Sequence, residues 1–295
     1  MKFSLKQIAI FDAIADTGSV SAAATQIAIS QSAASMSLQQ LEQQLGTKLF
    51  DRQGKKLVLN SWGLWLRPRA KALLHDVQQI ELGLTGKDLL SGQLSLAASQ
   101  TVSESLIPRL ISNLDANFPK MQVELSIHNS QQVIQDVRTF KVDLGIIEGR
   151  CDDSKLVQEQ WCKDELIIVA ASHHPFASQG EVSYRQLEAS QWVLRELGSG
   201  TRDVFDAAIS GKLEHLDVIK QYDHLPTLIA LVSSGAYLSC LPARSCDFAI
   251  KQGQLKQLKV TGLDLTRHFS FIWHKDMAED PLKDCLIKEA KRLAR

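Results

Sequence analysis

The sequence predicts an α/β chain in three parts: a winged helix-turn-helix head, a long linker helix, and a two-lobed α/β domain. Three observations carry this. Between Thr17 and Phe50 two short helical patterns meet at a tight turn, the first dense in alanine (Ala22, Ala23, Ala24) and the second opening at Ser30-Gln31-Ser32. Between Asn60 and Leu84 apolar residues recur at alternating spacings of four and three. After Gly92 short apolar runs alternate with helical patterns to the last residue, the texture of parallel α/β structure.

Taken in order, Leu5, Ile8, Phe11 and Ile14 repeat at helical spacing and predict a first helix over 5–16, ended by Thr17-Gly18. The second, over 19–28, is packed with alanine, so a neighbouring helix can approach closely. The third starts at Gln31 behind Ser30 as N-cap, buries Leu38, Leu41 and Leu45, and stops at Gly46. Residues 49–59 read as two short strands around a basic turn, a wing with Arg52, Lys55 and Lys56 placed to meet phosphates. In the next helix Leu66, Ala70, Leu73, Val77, Ile80 and Leu84 form a seam of the coiled-coil kind. No second helix follows at once to cover that stripe, so a dimerisation helix is the preferred reading over a buried one. Pro68 inside it predicts a kink or a late start. Thr85-Gly86-Lys87 and Ser91-Gly92 mark a linker. The division is therefore 1–59 for the head, 60–91 for linker helix and hinge, and 92–295 for the α/β part.

Within 92–295, strands are expected at 93–98, 122–127, 142–147, 166–171, 192–194, 217–220, 237–240, 255–260 and 269–273. Helices are expected at 104–116, 131–139, 202–208, 225–232, 243–251 and 281–293. So long a run makes two small lobes the better expectation than one sheet.

Composition narrows the function classes. The 295 residues are 44% hydrophobic and 22% charged, an ordinary globular balance. No apolar run of about 18 residues appears, so no membrane span or membrane partner is expected. The N-terminus lacks a secretory apolar stretch, which makes the cytoplasm the expected location. Formal net charge is zero, yet residues 1–90 hold ten basic against seven acidic side chains, leaving 23 against 26 for the remainder. That asymmetry has the sign of an N-terminal nucleic-acid module. Five scattered cysteines without a C-x-x-C suggest neither a zinc ribbon nor a disulfide framework. For the neighbouring Cys240 and Cys246 a core role is expected ahead of a redox one. His173-His174 precede Pro175 in a loop, Trp161, Trp192 and Trp273 sit in apolar runs, and Asp143, Glu148 and Asp164 are scattered carboxylates with no acid/base spacing. There is no G-x-S-x-G and no phosphate loop. No enzyme, cofactor or metal site is expected.

A helix whose exposed front carries Gln31, Ser32 and Ser35 suits a DNA major groove, where Gln pairs with adenine and Ser with base edge or phosphate. The first ninety residues resemble the LysR-type transcriptional regulators. The resemblance rests on Phe11, Gly18-Ser19, Ala22-Ala23-Ala24, Ser30-Gln31-Ser32, Ser35, Leu41-Glu42, Leu45-Gly46, Leu49-Phe50-Asp51-Arg52 and Gly63, in one ungapped order. It implies a winged helix binding double-stranded DNA, a linker helix pairing two chains, and an effector domain similar to type II periplasmic binding proteins. On this reading one lobe takes 92–161 and 267–295, the other 162–266. A homodimer or homotetramer is implied, with RNA polymerase as a further partner. Members of the family often carry basic residues soon after the position of Ser35; this chain has Met36, Gln39 and Gln40 there, so phosphate anchoring shifts to Lys48, Arg52, Lys55 and Lys56.

Two strand-to-helix turns stand out as effector sites: Ser99-Gln100-Thr101 in one half and Gly198-Ser199-Gly200-Thr201-Arg202 in the other. Each offers hydroxyls and backbone N–H groups where a helix dipole favours anions, and Arg202 adds charge if it turns inward. Read alone, each is better explained as a helix cap than as a ligand site; the resemblance reverses that and turns both toward an interlobe cleft. The Gly-Ser-Gly-Thr-Arg form is similar to the sulfur-assimilation branch of the family, which implies a small anion as effector. The competing readings are a small-ligand carrier, which leaves the first ninety residues unexplained, and an effector-independent architectural DNA binder.

Overall fold

The computed structural model describes residues 2–54, 56–84, 90–277 and 279–294. The head consists of α1 (Leu5–Thr17), α2 (Val20–Gln26) and α3 (Gln31–Leu45), followed by an antiparallel hairpin of β1 (Phe50–Gln53) and β2 (Lys56–Leu59). Each helix begins where its sequence supplies a cap. Ser4 and Gln7 form a capping box on α1, and Ser19 and Ser30 accept backbone N–H groups of α2 and α3. Gly18 and Gly46 end α1 and α3 in the left-handed conformation. Ile8, Phe11, Ile14 and Leu41 fill the core, and Ala23, Ala24 and Ala34 let the short helices share it.

The turn between α2 and α3 passes through Ala28 at φ +54°. That conformation costs a residue with a Cβ about 1–2 kcal/mol. Ala28→Gly is therefore expected to raise the stability of the head by about 0.5 kcal/mol, the relief exceeding the extra backbone entropy glycine loses on folding. Thermal denaturation checks this; a lowered midpoint would show that the turn holds no strain.

Asn60 opens α4 (Ser61–Leu84) by accepting the N–H groups of Trp62 and Gly63 on its Oδ1. The helix runs on through Pro68, contrary to the late start allowed by the sequence, leaving the Leu64 carbonyl without its usual donor. The expected seam is split. Leu66 and Ala70 are buried in the head core, while Leu73 and Ile80 stay exposed, Ile80 by 62%. Trp62 and Trp65 are exposed on the same helix, edge to face, with the Arg69 guanidinium 4.2 Å over Trp65. The Leu84 side chain and the expected linker residues Thr85, Gly86 and Lys87 lie outside the described residues.

The remaining chain makes two lobes. Parallel strands β3 (Gly92–Ser99), β4 (Met121–His128) and β5 (Leu144–Glu148) form the first with α5 (Gln100–Ser105), α6 (Ile107–Asn117) and α7 (Ser130–Arg138). The single helix expected over 104–116 breaks at Leu106, because Pro108 has no N–H to carry the helical ladder across. The long β6 (Leu156–Ala171) then crosses from one lobe to the other. The second lobe holds α8 (Tyr184–Glu188), β7 (Gln191–Arg195), α9 (Gly200–Ile209), β8 (Asp217–Tyr222), α10 (Leu225–Ser234), β9 (Ser239–Pro242), α11 (Ala243–Lys251) and β10 (Leu255–Leu258). Finally β11 (Thr266–His274) returns to the first lobe, covered by α12 (Pro281–Leu293).

The main sheet runs β10-β6-β11-β5-β3-β4, with β9 also on β6 and with β7 and β8 paired separately. Residues 156–165 of β6 pair with β11, while residues 166–171 pair with β9 and β10. One strand thus belongs to both lobes, and β6 and β11 are the crossing between them. Only the apolar second half of β6 was legible as a strand; its first half alternates Gln158, Gln160 and Lys163 with partly buried partners. Trp192 is fully buried, and Trp161 stacks on Phe271. Cys240 and Cys246 are buried free thiols that burial pushes well above the ordinary thiol range, which suits packing and not redox exchange. Among the described residues no helix is long and apolar enough to cross a membrane.

The head is tied to the first lobe. Buried Arg67 of α4 pairs with Asp16 and lies 3.6 Å from Asp12, both on α1, and donates to the Thr139 carbonyl at 2.9 Å. Lys71 reaches Asp143 at 3.5 Å, and Asp143 accepts the Ser95 N–H at 2.9 Å. Burial pushes the Asp12 carboxyl above its ordinary range, with Lys71 and Arg67 opposing.

Candidate functional site

The first turns of α3 expose Gln31, Ser32 and Ser35 on the surface of the head. Ser30 is used as the cap, accepting the Ala33 N–H at 3.2 Å, and the Ser32 hydroxyl lies 3.0 Å from it. Gln31 and Ser35 make no such bond and are the freer pair. Arg52 and Lys56 are exposed on the wing, and Lys55 lies outside the described residues. Lys48 is 72% exposed but its ammonium sits 2.7 Å from Glu42, so a phosphate there competes with a carboxylate.

Between the lobes, the two turns meet. β3 delivers Ser99 to the start of α5, and Ser199 stands at the start of α9. Both serines occupy the N-cap position, yet neither hydroxyl caps its helix. Their neighbours converge on one carboxylate, Glu148, at the end of β5. Glu148 Oε1 accepts the backbone N–H of Thr101 at 3.2 Å, and Oε2 accepts the Thr201 hydroxyl at 3.1 Å. Arg267 of β11 donates from Nη1 to Glu148 Oε2 at 2.5 Å and to Thr201 Oγ1 at 2.9 Å, and from Nη2 to Thr101 Oγ1 at 3.5 Å. Its Nε donates to Asp164 Oδ2 at 2.7 Å, and Asp164 also takes Arg244 at 3.1 Å. The side chains of Arg267, Glu148 and Asp164 are buried. Burial raises the Glu148 pKa, but the Arg267 charge and the Thr101 bond outweigh it and hold the carboxyl below its ordinary range.

The glycines explain how the lobes come so close. A Cβ on Gly200 would stand 2.4 Å from the Glu148 carbonyl oxygen, and one on Gly198 2.3 Å from the Gln131 side chain. Gln131 donates its N–H to the Gly198 carbonyl at 3.0 Å, a direct bond from lobe to lobe. The remaining predicted residues face elsewhere. Arg202 turns away, to Asp206 at 2.8 Å and the Arg195 carbonyl at 3.2 Å. Gln100 donates to Glu104 and lines a neighbouring cavity of about 980 Å³ with His128, Arg138, Arg195 and His224. Glu148, Asp164 and Arg267 escaped the sequence reading as a site, because three strands distant in sequence bring them together and no local spacing marks them. Among the described residues no cluster of His, Cys, Asp and Glu is placed to hold a metal.

Residues 87–295 match the family model described as "LysR substrate binding domain", and residues 5–64 match "Bacterial regulatory helix-turn-helix protein, lysR family". The chain is 37% identical over 275 residues to YeiE of Escherichia coli K12, described as an uncharacterized HTH-type transcriptional regulator, covering 93% of this chain and 92% of that one. It is 32% identical over 282 residues to the HTH-type transcriptional regulator CysL of Bacillus subtilis 168, covering 95% and 94%. A full-length OxyR variant of Pseudomonas aeruginosa shares the fold with a TM-score of 0.76 at 20% identity, over 98% of this chain and 95% of that one.

Proposed function

The chain belongs to the LysR family of bacterial transcriptional regulators, DNA-binding proteins with an effector-binding domain and not enzymes, and from that premise we propose that its effector is a small anion held between the two lobes. One observation carries the reading. Two serines at N-cap positions leave their helices uncapped, while Thr101 and Thr201 from opposite lobes donate to one oxyanion, the Glu148 carboxylate. A donor set that already serves a carboxylate is chemically suited to a small oxyanion entering from the neighbouring cavity. A ligand that binds one lobe setting better than another shifts the population by that difference in affinity.

On the DNA side, Gln31 and Ser35 are assigned to base edges, with Ser30 and Ser32 closing the helix start. Arg52, Lys55 and Lys56 are assigned to phosphates, which makes affinity salt-dependent. The outward stripe of α4, with Trp62, Trp65, Leu73 and Ile80, is assigned to pairing two chains. A tetramer would need a second interface on the lobes.

The test is thermal denaturation of the full chain with sulfite, sulfate, thiosulfate and phosphate. A ligand at 100 times its dissociation constant stabilises the folded state by about 2.7 kcal/mol. At least one anion is expected to raise the midpoint, and Thr101→Ala or Thr201→Ala to abolish the shift. No shift with any anion would overturn the anion reading, and regulation unchanged in both variants would favour an effector-independent DNA binder.

A further inference from the structure

The arginines around the interlobe cluster have no charge to spare. Arg267 and Arg244 serve Glu148 and Asp164; Arg195 is paired with Glu196 and Arg202 with Asp206, each at 2.8 Å. A dianion brought among them finds no unmatched guanidinium and is held by hydrogen bonds alone. The donors stand on Glu148 itself: the Thr101 N–H and the Thr201 hydroxyl bond its carboxylate, and the buried Ser99 hydroxyl lies beside it, so an entering oxyanion takes them over and leaves Glu148 in need of a new donor. The cluster also contains an acceptor. An ionised carboxylate only accepts, and Glu148 stays ionised, being held below the ordinary carboxylate range once Arg267 and its hydrogen bonds have offset burial. A bare oxyanion lone pair facing Glu148 meets repulsion at hydrogen-bond distance; an O–H there gains a charge-assisted bond.

We propose that Glu148 selects the effector by its hydrogen: the site takes an oxyanion that still carries a proton, donating it to Glu148, and rejects a fully deprotonated oxyanion of the same shape. This rests on the anion reading above and names the class within it. Thr101, Thr201, Ser99 and Arg267 grip the bare oxygens, and Glu148 reads the protonated one. Asp164 keeps Arg267 oriented and touches no ligand.

Isothermal titration calorimetry on the full chain tests it with two tetrahedral probes. Inorganic phosphate keeps a proton from about pH 6 to 8, whereas sulfate has none. Phosphate is expected to bind about 100-fold more tightly than sulfate, or better. Sulfite, whose last proton leaves near neutrality, is expected to weaken toward about tenfold per pH unit above that point. Glu148→Gln, whose amide can donate, should bring sulfate within a few-fold of phosphate and flatten the sulfite profile. If that variant fails to fold, the phosphate-to-sulfate ratio and the sulfite profile of the unaltered protein decide alone. Equal affinities for phosphate and sulfate, both lost in Thr201→Ala, would overturn the selection and leave the anion reading standing. No binding of any of the three would overturn both.

Discussion

Replacing Arg267 by methionine is expected to destabilise the two-lobed domain by about 3–5 kcal/mol at neutral pH, the cost of leaving the buried Glu148 carboxylate without its ion-pair partner. Arg267 holds Glu148 and Asp164 together, and all three side chains are buried. Methionine fills much of the volume, so the loss reports charge and not a cavity. The pH dependence identifies the cause. In the unaltered protein, burial is outweighed by Arg267 and the Thr101 bond, and the Glu148 carboxyl is depressed by folding. Such a group contributes stability that is present above its unfolded-state pKa and lost as pH falls through the folded value. Without Arg267 the burial of Glu148 is opposed only by its hydrogen bonds to Thr101 and Ser99 and by the Arg195 charge, its carboxyl rises, and the variant loses less on acidification than the unaltered protein. Urea denaturation of both proteins at about pH 5 and 7 should show the gap narrowing at the lower pH. A loss below about 1 kcal/mol, or one equal at both pH values, would mean that the cluster holds the lobes by shape alone.

Gly63→Ala is expected to cost the head about 3 kcal/mol, the upper end of what overpacking does. A Cβ at Gly63 would lie 2.2 Å from the Leu49 carbonyl oxygen, backbone that cannot yield easily, and 2.7 Å from the Leu59 side chain at Cδ2. Leu49 accepts the Asn60 N–H, and Asn60 both donates to the Lys48 carbonyl and accepts from Gly63 itself. The start of α4 and the root of the wing are thus a single hydrogen-bonded knot. Pushing it apart moves β1, and with it Arg52, which is proposed to meet DNA phosphates. Fluorescence anisotropy on duplex DNA should show affinity weakened by about tenfold, alongside a lower melting temperature. A variant that melts lower but binds unchanged would separate the wing from DNA binding.

The head was readable almost residue by residue, because its information is local: serine caps, alanines between helices, Gly18 and Gly46 as stops, leucines at helical spacing. The strands of the lobes were readable where burial on both faces makes an apolar run, as in Leu166–Ala171, and not in the first half of β6, where a half-buried strand alternates polar residues. The proline at 108 divided a helix whose apolar spacing ran straight across it. The site shows the same limit. Its two turns were visible as Ser, Thr and Gly between strand and helix, whereas Arg267 meets Asp164 and Glu148 across 103 and 119 residues of chain. Such a meeting is a product of sheet order, and nothing within reach of a local window announces it. Arg202 was the nearest arginine to the turn and the natural candidate, yet it found Asp206 one helical turn on.

Arg67 and Lys71 give the fold a mechanical character. Both fasten the head to the first lobe, through Thr139 and Asp143, and Asp143 grips β3 at Ser95 in the middle of the strand. The same strand ends in Ser99, at the interlobe cluster. Head and first lobe therefore share one lever with β3 as its shaft, and a displacement at the interlobe cluster would reach the head along that single strand.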